Sequence, residues 1–333
     1  MLYRVFFGMF LTGTVLRSWG RLFILLMFLL PTLAQGMELV PQRVTDNVYA
    51  LIGPTDGRSY ENYALNANYG FIITEQGVIL IDSGASRQGA KIIERAVNTV
   101  TTKNIRWVIN TGAQDHRWLG NSYFLEKGAK IIALHRTVKT QQQYSEQHLS
   151  GLKGTLKDHL DGTVPRYAGS PETADSNSLM LGNLKIELYW FGDAHFPGDA
   201  MVWLPNQRIL FSGDLIYVDR MLGVSRQSYV TSWHQAFNTA MKILQPAIIV
   251  PGHGSVCDMN KAIRDTGNYL DWLLTNIKPA AENWDGLDAT VEKYGKEARW
   301  QYLDNYESLH GGNVNRSYVQ FENEETGLSI RKE

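Results

Sequence analysis

Four places in this chain set an imidazole or a carboxylate directly after a run of strand-forming residues: Asp115-His116, His195, Asp214 and His253. Ile105-Arg106-Trp107-Val108-Ile109 leads through Asn110 to Gln114 into the first of them. His195 lies in the turn-rich stretch Asp193 to Asp199, Asp214 closes Ile209-Leu210-Phe211-Ser212-Gly213, and His253 sits in Val250-Pro251-Gly252-His253-Gly254. Neutral imidazole and carboxylate are the nitrogen and oxygen donors that zinc, iron and manganese accept. Nearby glycines let the backbone approach an ion closely. Hydrolysis is the first chemistry open to such a site, because a bound ion lowers the pKa of its water toward about 7 and polarises a carbonyl or ester oxygen, and redox chemistry at iron is a further one.

Each residue also has a plainer role open to it. Asp115 can cap a helix with a surface His behind it, and one His after a strand is commonly a hydrogen-bonded turn residue. Three His and two Asp, all at strand ends of one chain, outweigh those separate explanations. The remaining histidines, His135, His148, His159, His234 and His310, fall in or near helical stretches and are expected to be structural. Cys257 is alone, so it forms no intrachain disulfide and is expected to be a small buried residue.

The elements that must carry these residues follow from period and punctuation. Asn47 to Gly53, Asn68 to Thr74 and Val78 to Asp82 read as strands, with Glu75-Gln76-Gly77 as a hairpin turn between the last two. Arg87 to Val100 is an amphipathic helix with Ile92, Ile93, Ala96 and Val97 on one face. Ile105 to Ile109 and Ala129 to Leu134 are strands, with a helix through Phe124 between them and a polar helix from Thr137 to about His159 after them. In the second half Leu184 to Tyr189, Met201 to Leu204, Arg208 to Phe211 and Ala247 to Val250 are strands, and Ser232 to Leu244 is a helix. Met259 to Leu274 and Leu287 to Glu307 are helical, while Asn313 to Phe321 reads equally as extended or helical. Two halves that repeat strands and then a helix predict an α/β fold of two sheets packed face to face between helices.

The chain has 333 residues, 32 Lys and Arg against 33 Asp and Glu, and a formal charge of −1, which argues against a general nucleic-acid binder. Arg17 and Arg21 precede the apolar run Leu22 to Leu30, which is followed by Pro31-Thr32-Leu33-Ala34. A basic start, a short apolar stretch and small residues at the end make residues 1–34 a signal peptide cleaved after Ala34. The apolar run is shorter than the about 20 residues a membrane span needs. The expected location is therefore periplasmic or secreted, without stable membrane insertion after cleavage; a retained N-terminal anchor is the alternative.

Asp82-Ser83-Gly84, the 110–121 loop, His195 with Pro197-Gly198-Asp199, Gly213-Asp214 and Gly252-His253-Gly254 together resemble the ordered motifs of the metallo-β-lactamase superfamily. The resemblance covers about Asn47 to Val256 and implies an αββα sandwich of two mixed sheets with a metal site at one edge. It divides the chain into a leader (1–34), a metallo-β-lactamase-like domain (38–256) and a C-terminal helical extension on the same domain (257–333). The family's signature loop reads His-x-His-x-Asp-His. Anchored on Asp115-His116, this chain has Thr111 and Ala113 where the two first-site histidines would stand. His195 is then the remaining ligand of the first site, and Asp115, His116 and His253 form the second, with Asp214 as the bridging carboxylate. Anchored instead on Asn110-Thr111 and Gly120-Asn121, the ligand positions fall on Gly112, Gln114, His116 and Arg117. The loop is also similar to an exported branch of the superfamily, the zinc metallohydrolases associated with quinoprotein relay systems.

The expected activity is a mononuclear metallohydrolase acting on a small ester, thioester, lactam or similar molecule. It would hold about one zinc ion per chain, with iron or manganese as alternatives, on Asp115, His116, Asp214 and His253. Asp115, His195 and Asp214 are the expected catalytic groups, and Arg117 and Trp118 are expected to line the mouth. A non-catalytic binding protein that serves a periplasmic protein partner is the alternative.

Overall fold

The computed structural model describes residues 36–326. Its first sheet runs β1 (Pro41–Arg43), β2 (Val48–Leu51), β3 (Tyr69–Ile73), β4 (Val78–Ile81), β5 (Ile105–Ile109) and β6 (Lys130–Ile132) in chain order. Pairing is antiparallel as far as β4 and parallel from there. The change follows from the connections, since a tight turn allows only antiparallel neighbours and a parallel neighbour needs a crossover. Here the crossover is α1 (Arg87–Asn98), capped by Ser86, whose side chain accepts from the Gly89 N–H. After β5 come α2 (Asp115–Trp118) and α3 (Asn121–Glu126), and after β6 comes α4 (His135–Leu156).

The second sheet is β7 (Ser176–Leu181), β8 (Leu184–Tyr189), β9 (Met201–Leu204), β10 (Ile209–Phe211) and β11 (Ile248–Val250), ordered β11-β10-β9-β8-β7. Only β10 and β11 pair in parallel, and α5 (Val230–Leu244) is the crossover between them. Then follow α6 (Met259–Ala262), a π-helical turn at Ile263–Gly267, α7 (Asn268–Glu282), α8 (Leu287–Tyr294) and α9 (Tyr306–Glu325).

The inner faces of the sheets meet in one apolar layer, with Val48, Ile72, Ile79 and Ile109 opposite Ile186, Val202, Phe211 and Val250. The outer face of the first sheet is covered by Ile93 and Val97 of α1 and Phe124 of α3. On the second sheet, Trp233 and Phe237 of α5 join Tyr269 and Leu273 of α7 and Val314 and Phe321 of α9. This is the αββα sandwich, α/β in class. The loops that leave β4, β5, β10 and β11 carry Asp82, the 110–121 loop, Asp214 and His253.

Four elements differ from the sequence reading. The helix expected over Leu287 to Glu307 is α8, which ends at Tyr294 before Gly295, then a 3-10 turn at Ala298–Trp300 and the start of α9 at Tyr306. β1 and β7 were not read as strands. Both are edge strands, and the polar Ser176-Asn177-Ser178 start of β7 alternates exposed with part-buried residues, which weakens its apolar signal. The helix expected through Phe124 is two short helices, α2 and α3, separated at Leu119-Gly120. Gly120 lies against the Asp82-Ser83-Gly84 loop, where a Cβ would meet the Ser83 carbonyl at 2.0 Å, so only glycine fits. Asn313 to Phe321 is helical, within α9. The leader expected over residues 1–34 lies outside the described residues. No helix among the described residues is long and apolar enough to cross a membrane.

Candidate metal centre

Arg117 is the post on which the site stands. It is 1 % exposed, and all five of its N–H donors are used. Nη2 and Nε reach Asp214 Oδ1 and Oδ2 at 2.5 and 3.2 Å, Nη1 reaches Asp82 Oδ2 at 3.1 Å, and the Asn68 and Gly252 carbonyls take the rest. Planar bidentate pairing of this kind is what the guanidinium fork favours. Burial pushes the Asp214 carboxyl up, but Arg117 and His116 outweigh it and hold the group well below the usual carboxylate range. Asp82 has a left-handed backbone (φ 62°), accepts from the Thr111 N–H and hydroxyl, and is pushed up by burial against the pull of Arg117. Arg117 and Trp118 therefore do not line the mouth. Arg117 is consumed by two carboxylates, and the fully buried Trp118 donates to the Ala113 carbonyl.

Around Asp214, His116 and His253 bring one ligand atom each to within 4.8 Å of a carboxylate oxygen and of one another. His116 Nε2 is 3.1 Å from Asp214 Oδ2, and His253 Nε2 is 3.2 Å from Oδ1. His253 Nδ1 lies 2.8 Å from the Asn66 carbonyl and 3.2 Å from Arg220 Nη1; the shorter contact, to a group that can only accept, favours the proton on Nδ1 and the Nε2 lone pair toward Asp214. Burial keeps this imidazole well below its ordinary pKa despite the carboxylate beside it. Two acceptors thus face each other across 3.2 Å, and a cation held between them relieves that repulsion. A His fixed by a carbonyl on its far nitrogen is the usual posture of a metal ligand. Three donors, the minimum for zinc, fit one ion here.

Asp115 is set apart from this trio. Neighbouring residues of a helical turn point in different directions, so Asp115 lies on the Nδ1 side of His116, at 3.3 Å, away from Asp214. Its two oxygens are held by Arg58 at 2.5 and 2.6 Å. Burial pushes this carboxyl up, yet Arg58 and His116 hold it far below the usual range.

His195 stands at the other end of the site. Its Nδ1–H donates to the Gly223 carbonyl at 2.8 Å, and Nε2 lies 3.0 Å from Gln114 Oε1; exchanging the amide's O and NH2, which are sterically alike, lets the NH2 donate to the Nε2 lone pair. Burial lowers its pKa to about 4, so it is neutral at neutral pH. Gly112, on the same loop, offers no side-chain donor, and a Cβ there would meet Asp199 Oδ1 at 3.0 Å and Arg117 Cγ at 3.4 Å. With one imidazole and one amide, this end does not fit an ion. The side chains that reach the site are Gln114, His116 and Arg117, which matches the register anchored on Asn110-Thr111 and Gly120-Asn121. Thr111 and Ala113 face away into the fold: Thr111 bonds Asp82, and Ala113 is fully buried.

Arg58, Asn66 and His148 were not singled out from the sequence. Arg58 sits in a Gly- and Pro-containing loop with no spacing signal, and Asn66 acts through its backbone carbonyl. His148 was grouped with the structural helical histidines. It is 9 % exposed, and its Nδ1 has no hydrogen-bond partner among the described residues. With Arg58, Gln114, Asp115, Phe196 and Gln227 it lines a cavity of about 260 Å³ beside the trio.

The family model of the metallo-beta-lactamase superfamily matches residues 62–253. The chain is 27 % identical over 214 residues to the metallo-beta-lactamase type 2 of Bacillus sp. (strain 170), covering 63 % of this chain and 74 % of that protein. It is 26 % identical over 220 residues to the metallo-beta-lactamase type 2 of Elizabethkingia meningoseptica, covering 65 % and 79 %. Among solved structures, a metallo-beta-lactamase from Pontibacter korlensis superposes with a TM-score of 0.58 at 18 % identity, over 70 % of this chain and 99 % of that one, a likeness of fold. With more than half of its length matched by the family model, and with the sandwich and strand-end site described above, this chain belongs to the metallo-beta-lactamase superfamily.

Proposed function

We propose that the protein is a metal-dependent hydrolase with a single metal site formed by His116, Asp214 and His253, acting on a small ester, thioester, lactam or similar molecule. The observation that carries this reading is the meeting of three ligand atoms within 4.8 Å around a carboxylate, with the His253 tautomer fixed by Asn66. A divalent ion held there, zinc before iron or manganese, would supply Lewis acidity toward a carbonyl oxygen and an acidified water.

The residues of this chain do the rest. Asp214 anchors the ligand set and is kept ionised by Arg117. His195, neutral with its Nδ1–H tied to Gly223, is the group able to accept or return a proton once Gln114 yields its Nε2. Asp115, both of whose oxygens are held by Arg58, does not ligate. The cavity of about 260 Å³ is smaller than the roughly 300–1,000 Å³ of drug-sized pockets, and its amide and imidazole lining suits a compact polar substrate.

Export through residues 1–34, with the mature chain starting near Gln35, completes the reading and places the enzyme in the periplasm or outside the cell. A second reading, a binding protein without catalysis, is favoured by one observation: Arg117 already pairs both oxygens of Asp214. One experiment separates the two. The mature protein is dialysed, its metal is measured by elemental analysis, and the zinc-loaded form is screened on esters, thioesters, lactams and phosphoesters. About one zinc per chain with turnover supports the hydrolase. No retained metal and no turnover leave the binding protein, and two tightly held ions overturn the single-site assignment.

A further inference from the structure

We propose that Arg58 is a positioning residue that sets the tautomer of His116 and so holds the metal site in a form that takes up an ion weakly. The inference rests on the reading of His116, Asp214 and His253 as metal ligands. Arg58 Nη2 is 2.8 Å from His116 Nδ1. A guanidinium has only donors, so Nδ1 must accept, and the single proton of the neutral ring is on Nε2. That N–H points at Asp214 Oδ2, 3.1 Å away. A ring nitrogen that carries a proton has no lone pair for an ion.

His253 presents the opposite case. Its Nδ1 meets the Asn66 carbonyl at 2.8 Å, closer than Arg220 Nη1 at 3.2 Å, which leaves the Nε2 lone pair toward Asp214. The two imidazoles therefore approach one carboxylate in opposite tautomers, and only His253 is ready to ligate. The group that would turn His116 is already in place. Asp115 Oδ1, 3.3 Å from the same Nδ1, would accept an Nδ1–H and build the carboxylate–histidine pair that metal ligands use. Arg58 blocks it twice, because it occupies Nδ1 and also takes both Asp115 oxygens at 2.5 and 2.6 Å.

Arg58 is held at this post by its loop. Thr55 Oγ1 donates to Asp304 at 2.6 Å, Asn305 donates to the Thr55 carbonyl at 2.6 Å, and Asn62 donates to the Gly57 carbonyl at 2.9 Å. Just beyond, Tyr60 and Tyr63 stack on the two faces of His159, each at 3.8 Å between centroids. The guanidinium thus meets His116 from a pinned segment more than fifty residues away in the chain.

The test uses the full-length chain and zinc alone. Zinc affinity is measured by competition with a chromogenic chelator for the unmodified protein, Arg58→Met, and Arg58→Met with Asp115→Ala. Nitrogen-15 NMR of His116 in the metal-free unmodified protein reads the tautomer directly and does not depend on a variant folding. The expected results are an Nε2–H tautomer, about tenfold or more tighter zinc in Arg58→Met, and loss of that gain in the double variant. An Nδ1–H tautomer in the unmodified protein, or equal or weaker affinity in Arg58→Met, overturns the proposal while the metal site stands. Zinc bound by none of the three proteins overturns both the proposal and the metal reading.

Discussion

The His195 end and the Asp214 end of the site occupy the same edge of the same sandwich, yet they have resolved the same problem differently. At the His195 end the imidazole has its proton on Nδ1 and its Nε2 closed by an amide, with Gly112 beside it offering nothing. At the Asp214 end three donors converge, but Arg117 pairs the carboxylate, Arg58 faces His116 Nδ1 at 2.8 Å and Arg220 stands 3.2 Å from His253 Nδ1. The first end is complete as a neutral hydrogen-bonded cluster. The second is left with a lone pair opposing a carboxylate at 3.2 Å. Ligand character is therefore decided less by which residue stands at a strand end than by what its far nitrogen touches.

The largest expected effect breaks the comparison by removing the guanidinium that holds the Asp214 end. Arg117→Met leaves Asp214 and Asp82 buried without their counterion, and urea unfolding should show a loss of about 3–5 kcal/mol. A loss below about 1 kcal/mol would mean that the charges are relieved elsewhere.

Next in size is the contrast between the two histidines as ligands. Removing one of three ligands should weaken zinc at least about 100-fold, so His253→Ala should lose the ion on dialysis. His195→Ala should keep it, because His195 has no place in the trio. Elemental analysis decides this, and equal loss in both variants would merge the two ends into one site.

Acid should act through the closed end. His195 has a folded pKa of about 4 against an ordinary value of 6.5. Above pH 6.5 both folded and unfolded states leave it neutral, so it contributes no pH dependence there. As pH falls from about 6.5 to about 4 the unfolded chain gains a proton that the folded chain refuses, and stability drops by up to about 3 kcal/mol. Urea midpoints of metal-free protein at pH 7 and pH 4.5, compared with those of His195→Gln, measure this share of the slope.

The smallest effect concerns the amide. Gln114→Leu leaves His195 Nε2 buried without its partner and should cost about 1–2 kcal/mol of stability with zinc content unchanged. A second ion gained by Gly112→His with Gln114→His would show that those two positions alone closed the first end.

Much of the scaffold was legible because it rests on local pattern. The β3–β4 hairpin, the amphipathic α1 capped at Ser86, and β5 followed by a polar loop all carry period and punctuation within a dozen residues. β1 and β7 lack that signal, being edge strands whose pairing is settled by their neighbours. Asp214, His116 and His253 were visible as donors at strand ends. Asp115 was visible too, but the fold sets it on the Nδ1 side of His116, where Arg58 takes both its oxygens.

The sequence by itself determined two sheets layered between helices and the strand ends that carry the site, since these follow from residue type and from the order of apolar runs, while the shortage of donors beside His195 followed from the resemblance of the 110–121 loop to the family's signature. Only the tertiary structure decided that Arg117 is buried between Asp82 and Asp214 and does not guard a mouth. It likewise decided that Arg58 faces one His116 nitrogen and the Asn66 carbonyl faces one of His253. The physical reason is that an imidazole or a carboxylate has no fixed role of its own. Its protonation and its lone pairs are set by the group placed about 3 Å away, and here those groups arrive from loops 58 and 187 residues distant in sequence.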